Sequence, residues 1–256
     1  MFSLLNKRIE STQNSLVKHW KKLVTTRKER DQTKEFLVEG FHLVEEAIKQ
    51  PDLVIQLLVR EDIEIPTHWT APIIELTTAV AKEISETEQT QGVFAYCRQP
   101  QYEETDQHQW KRVLLIDAVQ DPGNIGTMIR TADAAGLDAV ILGKGCADPF
   151  NPKTVRSAQG SHFHIPVVRE ELTVWIDRLK ANQVPIIGTG LQQAVSLNEL
   201  EAQTSFALLV GNEGSGVDSE LLSQADHVVK IPLYGQAESL NVAVATGILL
   251  YTLRQH

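Results

Sequence analysis

The sequence predicts an α/β protein in two parts. A smaller N-terminal α/β domain covers residues 1–98, a polar linker 99–111, and a mostly parallel-sheet domain 112–256. Three observations carry this prediction. Short apolar runs alternate with helical stretches along nearly the whole chain. In the second half the apolar runs are continuous, as in strands covered on both faces. Between the halves lies "QPQYEETDQHQW", polar and carrying Pro100.

The elements follow in order. "LVKHWKKLV" is a basic amphipathic helix, "EFLVEG" a strand, and "FHLVEEAIKQ" a helix that stops before Pro51. "VIQLLVR" and "PIIELT" are strands, "TAVAKEISET" a helix and "GVFAYCR" a closing strand. From Val113 the strands are "VLLID", "AVIL", "IPVV", "PIIG", "FALLVG" and "VVKIPL". The helical stretches "GTMIRTADAAG", "VRSAQGS" and "LTVWIDRLKANQ" fall between them, and "VAVATGILLYTL" ends the domain. This last helix is apolar nearly all round, which requires burial and makes it a candidate subunit interface.

Composition narrows the class. The two cysteines, Cys97 and Cys146, fit neither a disulfide framework nor a zinc site, which points to a reducing compartment. The N-terminus lacks a signal-peptide h-region and no apolar run reaches membrane-spanning length, so a cytoplasmic location with no membrane partner is expected. The net charge of −9 opposes non-specific nucleic-acid binding, yet the charge is uneven. Residues 1–30 hold eight Lys and Arg against two Glu, a local +6, and the other 226 residues carry −15. A basic arm on an acidic body suggests a polyanion partner.

In a parallel α/β sheet ligands sit beyond the carboxyl ends of strands, so the loops there are informative. The first is "DAVQDPGNIGTMIRTADAAG" (117–136), where Asn124 is expected to cap a helix from the turn outside it, letting it converge with Arg130. The second is "LLVGNEGSGV" (208–217), whose Gly211, Gly214 and Gly216 would let a ligand approach the backbone, with Glu213 among them. It matches neither the dinucleotide fingerprint nor a P-loop, which disfavours a nucleotide-dependent oxidoreductase. The third is "PLYGQAESLN" (232–241), where Gly235 allows a bend and Ser239 is expected to cap the final helix. A weaker fourth, "IIGTGLQQ" (186–193), offers Gly190. His162 and His164 alternate as on a strand and read as structural.

Taken together and in this order, the three loops resemble the motifs of the SpoU/TrmH family of RNA ribose 2′-O-methyltransferases. The matching residues are Asn124, Gly126 and Arg130; Gly211, Glu213 and Gly216; then Pro232, Gly235 and Ser239 to Val242. "FLVEGFHLVEEAI" (36–48) is similar to the substrate-binding domain often fused to that family. The resemblance implies a C-terminal trefoil knot, S-adenosyl-L-methionine as cofactor, and a homodimer formed through the knot region and final helix. It implies cofactor contacts at Gly211, Ile231 and Leu240, with Gly190, Leu233 and Ser239 nearby, and no metal. It places Arg130 at the acceptor, as a clamp on phosphate and alkoxide, with Asn124, Glu213 and Asn241 holding the catalytic geometry. Lys18, Lys21, Lys22, Arg27, Lys28 and Arg30 become candidate RNA phosphate contacts, with Lys153, Arg156 and Ser157 as possible additions. Ribosomal RNA is favoured as substrate. Transfer RNA, or an RNA-binding protein of this fold without transfer activity, is the alternative.

Overall fold

The computed structural model describes residues 5–191, 194–212 and 214–254. The first elements are β1 (Leu5–Ile9), α1 (Ser15–Thr25), α2 (Arg27–Thr33), β2 (Glu35–Glu39), α3 (Phe41–Ile48), β3 (Val54–Arg60), β4 (Ile73–Leu76), α4 (Thr78–Ile84) and β5 (Val93–Arg98). There follow α5 (Glu104–Gln107), β6 (Arg112–Ile116), α6 (Pro122–Ala134), β7 (Ala139–Leu142), α7 (Pro152–Ala158), β8 (Val167–Arg169) and α8 (Leu172–Ala181). The chain closes with β9 (Ile186–Thr189), β10 (Val195–Ser196), β11 (Phe206–Val210), α9 (Ser219–Leu222), β12 (His227–Lys230) and α10 (Val242–Leu253). Two compact units result: Met1–Gln101 with Phe150–Phe163, and Tyr102–Pro149 with His164–His256.

The first unit is built on a sheet of order β1-β4-β3-β5-β2, in which β5 runs antiparallel to both β3 and β2. Strand alternation decides its two cores. Phe36 and Val38 of β2 face a core with Leu43, Val44 and Ala47 of α3. Leu37 faces the other, with Trp20 and Leu23 of α1. The excursion Phe150–Phe163 belongs to this unit although it lies far along the chain. Phe150 and Phe163 pack on Phe36 at ring-centroid distances of 4.9 and 5.9 Å. His162 is buried in a 3₁₀ turn (Ser161–Phe163) rather than on a strand, and Arg156 is paired with Glu86 at 2.7 Å.

Residues 5–30 are not an arm. β1 pairs with β4, and Val17, Trp20 and Leu23 are fully buried, each worth about 1.5–3 kcal/mol or more of apolar burial. The stretch read as a linker is also structured. Tyr102 meets Trp110 edge-on at 6.0 Å, and Trp110 stacks on Trp175 at 5.4 Å within the second unit.

The second unit carries seven strands in the order β10-β12-β9-β11-β6-β7-β8, every pair parallel. β7 and β11 are buried at every residue, which explains their unbroken apolar sequences. From β6 the chain steps to β7 and β8 on one side; β9, β11 and β12 fill the other. The strand order therefore reverses beside β6, and the carboxyl ends of β9, β11 and β12 lie together there. Burial pushes the Cys146 thiol up to about 11, and raises that of Cys97 as well, so neither is a ready nucleophile. Among the described residues no helix is long and apolar enough to cross a membrane.

Candidate functional site

A cavity of about 590 Å³ opens at those three strand ends, within the range of small-molecule sites. Its wall includes Thr189–Leu191 after β9, Val210–Asn212 and Gly214–Val217 after β11, and Val229–Ile231 at the end of β12. Leu233 and Glu238 to Leu240 continue it, and Val242, Ala245 and Leu249 of α10 close one side. Gly190, Gly211, Ile231, Leu233, Ser239 and Leu240, the residues expected at a cofactor, all line this one cavity.

The loop after β11 is fastened to the strand beside it. The Asp117 carboxylate, at the end of β6, accepts from the Asp218 N–H at 2.8 Å. The Asn212 side chain donates to the Ala118 carbonyl at 3.0 Å and accepts from the Gly214 and Ser215 N–H groups at 2.8 and 3.3 Å. Asn212 and Gly216 also exchange backbone hydrogen bonds at 3.0 and 2.9 Å. Gly211 is required by this closure rather than by a ligand: a Cβ there would lie 2.2 Å from the Gly216 carbonyl carbon and the Val217 nitrogen. Gly216 has φ +74°.

Several expected positions need correction. α6 begins at Pro122, and its cap is Asp121, whose side chain accepts from the Asn124 N–H at 2.8 Å. Asn124 is thus inside the first turn. Arg130, six residues on, is about 240° around the axis and does not share its face. Arg130 is exposed and outside the cavity wall. The cap of α10 is Asn241, not Ser239: its side chain accepts from the Ala243 and Val244 N–H groups at 3.0 and 3.3 Å. The same Asn241 donates to the Asn124 side-chain oxygen at 3.0 Å, joining the first and third motifs. Glu213 lies outside the described residues. Gly235 has open space around it and no left-handed φ, so its bend does not demand glycine.

The basic residues divide. Lys18 and Lys28 are exposed, and neither forms an ion pair among the described residues. Lys21 is paired with Glu83, Lys22 approaches Glu29 at 3.9 Å, and Arg27 lies 3.4 Å from Asp31. Arg30 is not a phosphate contact: it is 2% exposed and donates to the Leu23 and Val24 carbonyls at 2.5 and 3.2 Å, closing the end of α1. Sequence reasoning missed Asp117, Asn212 and Lys230. The first two had a signal, a polar residue immediately after an unbroken apolar strand.

Residues 111–251 match the model of the SpoU rRNA Methylase family, and residues 14–95 that of an MRM3-like substrate binding domain. The chain belongs to the SpoU rRNA methylase family. It is similar to the 23S rRNA (guanosine(2553)-2′-O)-methyltransferase RlmP of Bacillus subtilis, with 55% identity over 97% of this chain and 99% of that protein. Among solved structures it resembles the AdoMet-bound rRNA methyltransferase of Sinorhizobium meliloti (TM-score 0.85, 31% identity, 98% of each chain). It also resembles the SpoU methyltransferase AviRb of Streptomyces viridochromogenes in complex with AdoMet (TM-score 0.82, 29% identity, 94% of this chain and 97% of that one). As a SpoU member the chain has the mixed α/β, mostly parallel architecture of these structures.

Proposed function

We infer that this chain is an S-adenosyl-L-methionine-dependent methyltransferase acting on a ribose 2′-hydroxyl of ribosomal RNA. The observation that carries the inference is the cavity, walled by the second and third SpoU motifs at the ends of β9, β11 and β12. Its volume and its wall of small, apolar and hydroxyl-bearing residues fit an adenosine-bearing ligand. When bound, the cofactor supplies an activated methyl group on its sulfonium. Val210, Ile231, Leu240 and Val242 give the wall its apolar part, against which the adenosine end would pack. The Asn124–Asn241 bond fixes the third-motif loop against α6, so that the acceptor oxygen can be aligned. Arg130, open to a macromolecular substrate, clamps the adjacent phosphate and steadies the developing alkoxide.

The target we propose is the guanosine equivalent to position 2553 of 23S rRNA, on the strength of 55% identity to RlmP over nearly the whole of both chains. The test is transfer of labelled methyl to ribosomal RNA from a deletion strain, with site mapping and transfer RNA as control. Methylation at that guanosine, lost in Arg130→Ala with cofactor affinity unchanged, is the expected result. Label on transfer RNA alone overturns the substrate, and loss of cofactor affinity in Arg130→Ala overturns its role.

Three further properties belong to this reading. A homodimer forms through α10, whose Val244, Ile248 and Tyr251 make an exposed stripe at 53%, 39% and 59% while the opposite face is buried. Ile248→Asp should convert dimer to monomer in light scattering; an already monomeric wild type overturns this. The C-terminal segment is threaded as a trefoil knot, consistent with β12 inserted between β10 and β9 while α10 returns to α6. An experimental chain trace that reduces to an open line would overturn it. The N-terminal domain holds RNA through Lys18 and Lys28 in the cytoplasm. Replacing both by Ala should lower the slope of log affinity against log salt by about 2. An unchanged slope removes them.

A further inference from the structure

Three large apolar side chains are exposed at one opening of the second unit. Leu191 and Leu233 line the cavity wall and are 81% and 41% exposed. Tyr234 follows Leu233 directly and is 91% exposed, more than any other large hydrophobic side chain among the described residues. Successive Cα atoms stand about 3.8 Å apart, so the Tyr234 ring is carried within one residue of the wall. Tyr234 is not part of that wall, and its side chain makes no hydrogen bond or ring contact among the described residues. Apolar residues exposed singly are ordinary on a protein surface, but several at the mouth of a ligand cavity mark a surface that a partner covers.

We propose that Tyr234 is the platform on which the base of the acceptor nucleoside stacks while its ribose 2′-hydroxyl enters the cavity, with Leu191 and Leu233 as the apolar lip beside it. This rests on the methyl-transfer reading above and assigns a side chain that the motif resemblance leaves without a role. The chemistry of the ribose sets the geometry. The base is bonded to C1′, the carbon next to the one that carries the 2′-oxygen. A nucleoside whose 2′-oxygen meets the methyl donor therefore leaves its base at the rim. A base at the rim has left its own stack and turns its faces to water, and an aromatic ring at the same rim restores stacking to one of them. A tyrosine ring stacks on any base, so Tyr234 supplies position and not base identity. The cofactor's adenine does not compete for the ring, because the wall that would take the adenine excludes Tyr234.

Methyl transfer by the full chain tests this on two RNAs. One is ribosomal RNA from a deletion strain. The other is the same RNA rebuilt by ligation, with the base of the target nucleotide removed and its 2′-hydroxyl kept. Stacking of one base on an aromatic ring corresponds to about five- to a hundredfold in kcat/KM. Tyr234→Ala should lower kcat/KM for the intact RNA by about tenfold or more, while Tyr234→Phe, which keeps the ring, should stay within about twofold of wild type. On the abasic RNA the wild-type chain should already show the lowered value, and Tyr234→Ala should lower it no further. Affinity for S-adenosylmethionine by calorimetry should be unchanged in both variants. Wild-type kcat/KM in Tyr234→Ala overturns the proposal. So does an equal fall on intact and abasic RNA, which places the ring on another nucleotide, or a loss of cofactor affinity, which places it on the cofactor. If Tyr234→Ala turns a dimer into a monomer in light scattering, the ring belongs to a second copy and the proposal falls. In each of these cases the wild-type chain still methylates ribosomal RNA; a wild-type chain that transfers no methyl to it overturns the reading beneath.

Discussion

Two segments wall the same cavity and are held by opposite means: residues 211–218, through Gly211, Asn212 and Gly214 to Val217, and residues 232–240, through Leu233 and Glu238 to Leu240. The first segment is tied to β6 by the Asp117 carboxylate and the Asn212 amide, and its ends touch so closely that Gly211 admits no Cβ. The second makes no hydrogen bond to the rest of the chain among the described residues, and Tyr234 is 91% exposed. It is anchored at its far end by Asn241 alone, to α10 and to Asn124. One wall is preorganised by the fold; the order of the other must be supplied by what it encloses, at the entropic cost of fixing its backbone.

The largest expected effect tests that contrast directly. At S-adenosylmethionine a hundred times above its Kd, amide hydrogen exchange in residues 232–240 should slow by up to about a hundredfold. Exchange at Asn212, Gly214, Ser215, Gly216 and Asp218 should change little, because those amides are already engaged. Equal slowing in both segments would erase the distinction. Next in size is Gly211→Ala. Its Cβ would meet backbone at 2.2 Å, so the loop must open. A misfit of about 2 kcal/mol corresponds to cofactor binding about thirtyfold weaker by calorimetry. Wild-type affinity in this variant would show that the pinned wall is not needed in its observed form.

Asn212→Ala comes third. It removes one donor to Ala118 and the acceptor for two loop N–H groups. These groups are partly open to water, so the loss is about 1 kcal/mol, or cofactor affinity about fivefold weaker. Thermal unfolding of the chain should move little, since the β6–β11 pairing is untouched. A large fall in melting temperature with unchanged affinity would make Asn212 a fold residue and not a positioning residue.

The contrast also explains what was legible in the sequence. Strand and helix identities were readable where apolar residues dominate the run, as in "VIQLLVR" and "VAVATGILLYTL", both observed at those residues. Six cavity-lining residues, Gly190, Gly211, Ile231, Leu233, Ser239 and Leu240, were recoverable from the motif resemblance, whereas Asn212 and Lys230 were not. What failed depended on which of several polar side chains wins a local competition. Asp121 rather than Asn124 caps α6, and Asn241 rather than Ser239 caps α10, because all of these residue types can cap and only the backbone path decides. Arg30 failed for another reason: its neighbours Arg27 and Lys28 are exposed, but α2 turns Arg30 inward onto the last carbonyls of α1. The excursion Phe150–Phe163 was invisible because its partner, Phe36, lies more than a hundred residues away in the chain.

The smallest predicted effect is the mirror of Gly211→Ala. Gly235 also belongs to a SpoU motif, yet a Cβ there meets nothing within 4 Å and its φ is not left-handed. Alanine is therefore sterically allowed, and it removes backbone freedom from a segment that the chain itself does not hold. Cofactor affinity in Gly235→Ala should stay within about twofold of wild type, with any change toward tighter binding, because less disorder remains to be lost on closure. Methyl transfer should follow the same direction. If binding is retained but transfer to RNA collapses, the open space at Gly235 is space that the RNA occupies, and the segment is ordered by substrate as well as by cofactor. If cofactor binding itself collapses, the segment closes tightly on its ligand, and both walls depend on glycine for the same reason.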